Sequence, residues 1–240
     1  MRALKTAFAV TLFTVAATIS AHAGSLQVAP VSVEMPSSTS NVTLRNSGTL
    51  PLKAQVRVFR WSQANGKDIL EPATDLVASP PVATVMPGKD FTVRLVRTSQ
   101  GPVQAEETFR IIVDELPDPA SQKPGTIDMA FRYSVPVFVL PPKPGKPALS
   151  WSTAVQDGKT VVVAQNTGDR RVRVSELKVT DGQGRKITVA NGLAGYVLAR
   201  SSMSWVTPGT GKTVASGPLL VTANGDQGTI NATASANTAR

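Results

Sequence analysis

Two acidic side chains, Asp114 and Glu115, stand next to one another in the stretch FRIIVDELP, and a pair of carboxylates is the usual equipment of a glycosidase. The stretch alternates as a strand does, however, and adjacent strand residues point to opposite faces, so these two cannot flank one bond. Other routes to catalysis are closed by composition. The chain has one histidine, His22, and no cysteine, which removes Ser-His-Asp and Cys-His nucleophile systems, thiolate centres and ordinary zinc sites. Gly182-Gln183-Gly184 lacks the context of a phosphate loop and reads as a hairpin turn. What remains is carboxylate or Lys/Tyr chemistry, or recognition by an apolar surface. Ile127, Met129, Phe131 and Tyr133 alternate with Asp128, Ala130, Arg132 and Ser134, and residues i, i+2 and i+4 of a strand line one face. Such a row either fills the protein's own core or is offered, on a sheet edge, to the core of another chain. Val135, Val137 and Val139 share its parity and are expected in a core or domain interface.

The elements that hold this row follow from the rest of the sequence. Arg2 and Lys5 precede an apolar run from Ala7 to Ile19, and Ala21-His22-Ala23 is a small-x-small cleavage pattern. Residues 1–23 therefore read as an export signal, not a spanning helix, and the lone histidine leaves with them. The exported chain is expected in the bacterial periplasm or at the cell surface, held by a hydrophobic core instead of disulfides. Charge is uneven: residues 24–141 carry 11 Lys+Arg against 11 Asp+Glu, and residues 142–240 carry 12 against 5. Arg170-Arg171-Val172-Arg173 is the tightest basic cluster, and with aromatic residues at 5% it reads as a solvated strand edge guarded against aggregation, not as a nucleic-acid surface.

A period of two runs through most of the chain. Leu26-Val28, Val31-Val33-Met35, Val42-Leu44, Ala54-Val56-Val58, Phe91-Val93-Leu95 and Phe109-Ile111-Val113 alternate with polar residues between Gly, Pro, Asn and Ser clusters, and no window carries a helical stripe. About seven short strands are expected over residues 24–141, forming an immunoglobulin-like β-sandwich without the cysteines of antibody domains. Pro141-Pro142-Lys143-Pro144-Gly145-Lys146-Pro147 reads as a short stiff hinge, residues 142–147, with its lysines solubilising it. Residues 148–240 then give a smaller β-domain, with turns at Asp157-Gly158, Asp181-Gly182 and Asn191-Gly192, and a polar, frayed tail after Asn231. Arg94 is expected to brace the domain interface.

Together, the row ending at Pro141, the preceding EETFRIIVDELP, the Pro-Gly turn before FTVRLVR, the Pro-rich hinge and the second β-domain resemble the periplasmic pilus chaperones of the chaperone–usher pathway. The resemblance covers essentially all of the chain beyond the signal. It implies an all-β protein of two immunoglobulin-like β-sandwich domains in a boomerang arrangement, without catalysis or cofactor. It further implies donor-strand complementation. The chaperone lends its G strand, here Thr126 to Leu140, to a pilin subunit lacking its own last strand, one subunit per chaperone, and delivers it to an outer-membrane usher. The donor positions fall on Ile127, Met129 and Phe131, with Tyr133 a fourth.

One departure stands out. Better-known members carry basic residues on the first strand and the G strand that grip the subunit's C-terminal carboxylate, and on those positions this chain has Pro30 and Pro136. The departure suggests the divergent, archaic branch or else a relative with a different client, and the nearest replacement donors are Arg110 and Arg132, whose forks suit a carboxylate. Neither nucleic acid nor stable membrane insertion is expected, whereas a free chaperone with an apolar donor strand has reason to self-associate. Two other classes fit the sandwich: a structural fimbrial subunit or adhesin, and an exported polysaccharide-binding protein. Pilins begin with a donor extension and lack the last strand, and polysaccharide binders show several surface aromatics, whereas this chain has 3 tryptophans and 2 tyrosines.

Overall fold

The computed structural model describes residues 25–117, 129–208 and 219–236. The expected export signal and Ile127 lie outside the described residues. Among those described, every regular element is a strand.

The first unit holds β1 (Leu26–Ala29), β2 (Val33–Met35), β3 (Thr39–Asn46), β4 (Leu52–Ala64), β5 (Lys67–Pro72), β6 (Leu76–Ser79), β7 (Val82–Val85), β8 (Asp90–Arg97), β9 (Glu107–Leu116) and β10 (Arg132–Val139). They form two facing sheets, β1-β3-β8-β6 and β2-β10-β9-β4-β5, with β7 also on β4. The chain passes from one sheet to the other between β1 and β2 and again between β6 and β7, and in both places an X-Pro bond is cis, Ala29-Pro30 and Ser79-Pro80. Alternation places Val42, Leu44, Val93 and Leu95 of one sheet against Val56, Phe109, Ile111 and Val113 of the other, all in one buried core. Polar side chains occupy most of the outward positions. The ten strands exceed the seven expected by three: the four-residue β6 and β7 on either side of the cis Ser79-Pro80 bond, and β5, formed because β4 runs longer than its Ala54-Val56-Val58 signal and turns back. Asn65 and Gly66, at φ +53° and +72°, make that turn, the tight hairpin that Asn-Gly favours.

The second unit holds β11 (Leu149–Gln156), β12 (Lys159–Asn166), β13 (Val172–Thr180), β14 (Lys186–Thr188), β15 (Leu193–Val197), β16 (Ser201–Val206), β17 (Leu219–Gly225) and β18 (Gly228–Ala236). The path runs β14-β13-β17-β18-β11-β12-β16, with β15 on β13. β18 makes the sandwich possible by serving both halves: it pairs antiparallel with β17 up to Ala234, then parallel with β11 at Ser235 and Ala236. Trp151, Val162, Val174, Leu177, Val179 and Val221 meet between the halves. The segment after Asn231, expected to fray, is strand through Ala236 with Ala234 fully buried. Its backbone pairing and small inward alanine outweigh its polar composition.

Candidate functional site: an open strand edge beside the domain junction

The apolar row of the sequence lies on β10 and the residues just before it, and its burial changes steadily along the chain. Val139, Val137 and Val135 are in the first-unit core. Tyr133 is half-buried against that core, Phe131 is half-buried, and Met129 is 60% exposed. The expected strand from Thr126 to Leu140 is therefore shorter among the described residues, beginning at Arg132. The ladder itself reaches one step further, since the Glu115 N–H donates to the Phe131 carbonyl at 2.9 Å.

That bond fixes which way the backbone faces. In an antiparallel ladder both main-chain groups of a residue point to the same side, so Phe131, Tyr133, Val135, Val137 and Val139 bond to β9, in register with Glu115 through Glu107. Arg132, Ser134, Pro136 and Phe138 face the other way. On that other side β2 pairs only with Val137, Phe138 and Val139, so the stretch up to Pro136 presents an edge without a partner strand among the described residues. Pro136 lacks an N–H, and its parity puts the gap on this edge, where the ladder to β9 loses nothing. A second open edge stands close by. The Ser47 N–H donates to the Ser25 carbonyl at 2.9 Å, which turns the main-chain groups of Leu26 and Val28 away from β3, the sole pairing partner of β1 among the described residues. The Tyr133 hydroxyl crosses between these edges and donates to the Leu26 carbonyl at 2.6 Å.

Arg110 and Arg132 share the outward face of the β9–β10 ladder but are held separately. Arg132 lies opposite Asp114, and Arg110 lies opposite Pro136, about 14 Å apart at ~3.4 Å per residue. The exposed Arg132 guanidinium donates to one Asp114 oxygen, while Arg57 donates to the other at 2.8 Å. Burial pushes the Asp114 carboxyl up, but these two guanidinia more than offset it and hold the group below its ordinary value. Phe131, Pro117 and this triad line an open cleft of about 550 Å³. Arg110 is mostly buried: its guanidinium stacks over Trp61 at 3.9 Å, sits 3.7 Å from Asp68 and donates to Ser134 Oγ at 3.3 Å. Burial lowers its pKa from the usual arginine value, opposed by Asp68. The Asp68 pair is long, so Arg110 retains donor capacity at the mouth of the junction.

The junction is built on the opposite row of β10. Phe138 is fully buried with Trp61 of β4 and with Tyr196 and Leu198 of the second unit, and the Trp61–Tyr196 rings meet edge to face at 5.6 Å. Gln63 donates to the Tyr196 carbonyl at 2.8 Å and accepts the Leu198 N–H at 2.9 Å. The β4–β5 turn docks on β16, with the Ser204 N–H donating to the Gly66 carbonyl at 3.2 Å; a Cβ on Gly66 would meet Ser204 Oγ at 2.2 Å. Arg171 closes the set. Its side chain, 6% exposed, lies over Phe138 at 3.4 Å, donates to Glu106 Oε2 at 2.5 Å and to Glu34 Oε1, and its N–H donates to Glu106 Oε1 at 3.1 Å.

Two expectations are corrected here. The Arg170–Arg173 cluster is not simply a solvated edge, because Arg171 is the buried cation that joins the two units. Arg94 does not brace the interface: it is exposed on β8, in the sheet away from the junction, and Arg171 fills that role. The Pro-rich hinge is also held on the second unit, where the Asp169 N–H donates to the Lys146 carbonyl at 3.1 Å and Gly168 passes so close that a Cβ would stand 2.3 Å from that oxygen.

Residues 25–144 match the family described as pili and flagellar-assembly chaperone, PapD N-terminal domain. A search of curated protein sequences finds no match. Among solved structures, the chain is similar to a chain of the CsuC–CsuE chaperone–tip adhesion subunit pre-assembly complex from the archaic Csu pili of Acinetobacter baumannii. That alignment has 22% identity and a TM-score of 0.65 and covers 90% of this chain and 100% of that one. It is likewise similar to a chain of the Salmonella enterica SafA pilin–SafB chaperone complex, at 17% identity and TM-score 0.60, covering 89% and 97%. A third similar structure is the E. coli chaperone DraB, at 21% identity and TM-score 0.58, covering 89% and 97%.

Proposed function

This chain belongs to the family of pili and flagellar-assembly chaperones, and we propose on that premise that it holds pilin subunits in the periplasm by lending them the strand that ends in β10. The family is one of chaperones, not of enzymes. The observation that carries the proposal is the row that leaves its own core along an open edge: Val135 is buried, Tyr133 and Phe131 are half-covered, and Met129 stands in solvent. An immunoglobulin-like subunit without its last strand has an apolar groove flanked by unpaired main-chain groups, which would aggregate edge to edge. Strand addition closes both faults. Each main-chain bond adds ~0.5–1.5 kcal/mol net and each inserted side chain ~1.5–3 kcal/mol. Ile127, Met129 and Phe131 are the inserting positions. Arg110, beside Pro136 and not fully satisfied by Asp68, is the candidate donor to the subunit's terminal carboxylate, with Arg132 the second candidate further out. The loaded chaperone then hands its subunit to an outer-membrane usher.

The test is Phe131→Asp, measured twice. An unpaired carboxylate in a client groove costs several kcal/mol, so pilin co-purification from periplasmic extract should be lost. The melting temperature of the free protein should move by no more than ~1 kcal/mol warrants, because the ring is only half-covered in the free chain. An insoluble or unfolded variant would mean that the row is ordinary core, and retained capture by a folded variant would remove Phe131 from the donor set.

A further inference from the structure

We infer that Tyr133 is a releasable latch across the mouth of the first sandwich, and that an incoming subunit strand must displace its hydroxyl from Leu26 before the donor strand can be used. The inference deepens the donor-strand reading and rests on it. Its basis is where this one bond lies. β1 and β10 belong to different sheets and are not paired with each other among the described residues. The main-chain groups of Leu26 point out of the β1 edge, and those of Arg132 and Ser134 point out of the β10 edge, so a foreign strand finds two sets of unpaired groups with Tyr133 between them. The Tyr133 hydroxyl, at 2.6 Å from the Leu26 carbonyl, occupies an acceptor that a foreign N–H would need. Its ring is half-buried on the first-unit core and lies 6.1 Å from the Phe131 ring.

Two consequences separate a latch from a fourth inserting residue. A latch is made in the free chain and broken on entry, so removing the hydroxyl should speed association and leave dissociation alone. An inserting side chain contributes to the complex, so changing it should act on dissociation. Tyr133→Phe keeps the ring and its packing and deletes only the hydroxyl. The net worth of one hydrogen bond corresponds to a rise in association rate of about two- to tenfold.

The experiment uses the whole exported chain and, as the probe, denatured pilin subunit lacking its N-terminal extension, refolded onto wild-type or Tyr133→Phe protein under stopped flow. A second readout watches the bond itself. Leu26-Gln27 is the one Leu-Gln step in the sequence, so carbonyl-13C leucine with 15N glutamine gives a single Leu26–Gln27 cross-peak. The Leu26 carbonyl should move upfield in free Tyr133→Phe, and the two proteins should coincide once loaded with pilin. Faster association, unchanged dissociation and converging carbonyl resonances support the latch. Association unchanged, an effect confined to dissociation, or a wild-type offset that persists in the loaded protein overturns it while leaving donor-strand binding intact. Failure of the wild-type chain to capture any subunit overturns both readings together.

Discussion

Replacing Arg171 by Ala should be the most damaging single change available at the domain junction. The guanidinium is 6% exposed and holds Glu106, whose side chain is 1% exposed, at 2.5 Å. Once it is gone, the Glu106 carboxylate keeps, among the described residues, only the N–H of residue 171, at 3.1 Å in the native protein. A buried pair broken from one side costs about 3–5 kcal/mol, because the surviving charge stays desolvated without compensation. Glu34 adds little to this, being 48% exposed, as expected of a pair open to water. Urea unfolding followed by tryptophan emission is the assay. Trp61 lies at the junction, and Trp151 and Trp205 stack in the second unit, so the variant should show Trp61 responding before the other two. Arg171→Met combined with Glu106→Gln should recover most of the loss, since it removes both charges and keeps an apolar side chain over Phe138. Raising the salt to 1 M should alter the single-variant loss little, because the pair is out of reach of screening ions. A loss under ~1 kcal/mol for Arg171→Ala, or a double variant no better than the single one, would refute the assignment of Arg171 as the tie between the units.

Arg110→Ala should weaken subunit capture by ~1.5–3 kcal/mol, the worth of a charge-assisted bond, and Arg132→Ala by less because its guanidinium is engaged with Asp114; co-purification yields of the two single and the double variant would show it, and an unchanged double variant would dismiss both. Asp114 titrates below its ordinary value when folded, so its contribution is full above the ordinary carboxyl range near pH 4 and fades as pH falls through the folded value. Asp114→Asn should therefore remove part of the acid sensitivity of urea stability below about pH 4, and an identical pH profile for both proteins would contradict the sign.

Much of this fold is legible because a period of two is a local signal. Most core strands of the first sandwich show their buried face in their own residues, and Val135, Val137 and Val139 fall where alternation puts them; β6 and β7, which bury Leu76, Ala83 and Val85, are not legible in this way. The β5 hairpin had a signal as well, the Asn65-Gly66 pair, which outranks composition as a turn marker. The junction had almost none. Arg171 reaches Glu106 across 65 residues and Glu34 across 137, and its neighbours Arg170 and Arg173 make it look like one of a solvated cluster. One trace of the junction exists: Val137-Phe138-Val139-Leu140 is apolar without interruption, which is what a strand covered on both faces looks like. The open edge of β10 is not local either, since it depends on where β2 stops pairing.

β10 also constrains how this chain can drift. Its odd residues build the core and feed the donor row, and its even residues build the junction and face the open edge. Insertion or loss of a single residue between Phe131 and Leu140 would exchange the two rows, sending Phe138 inward and the valines outward, and would ruin core, hinge and client surface in one step. Relatives of this chain should accordingly vary in length before Met129 and after Leu140 and hold the segment between them to a fixed count. Adaptation to a new subunit is then confined to swapping side chains in place, on a ruler whose spacing is set by the second unit as much as by the client.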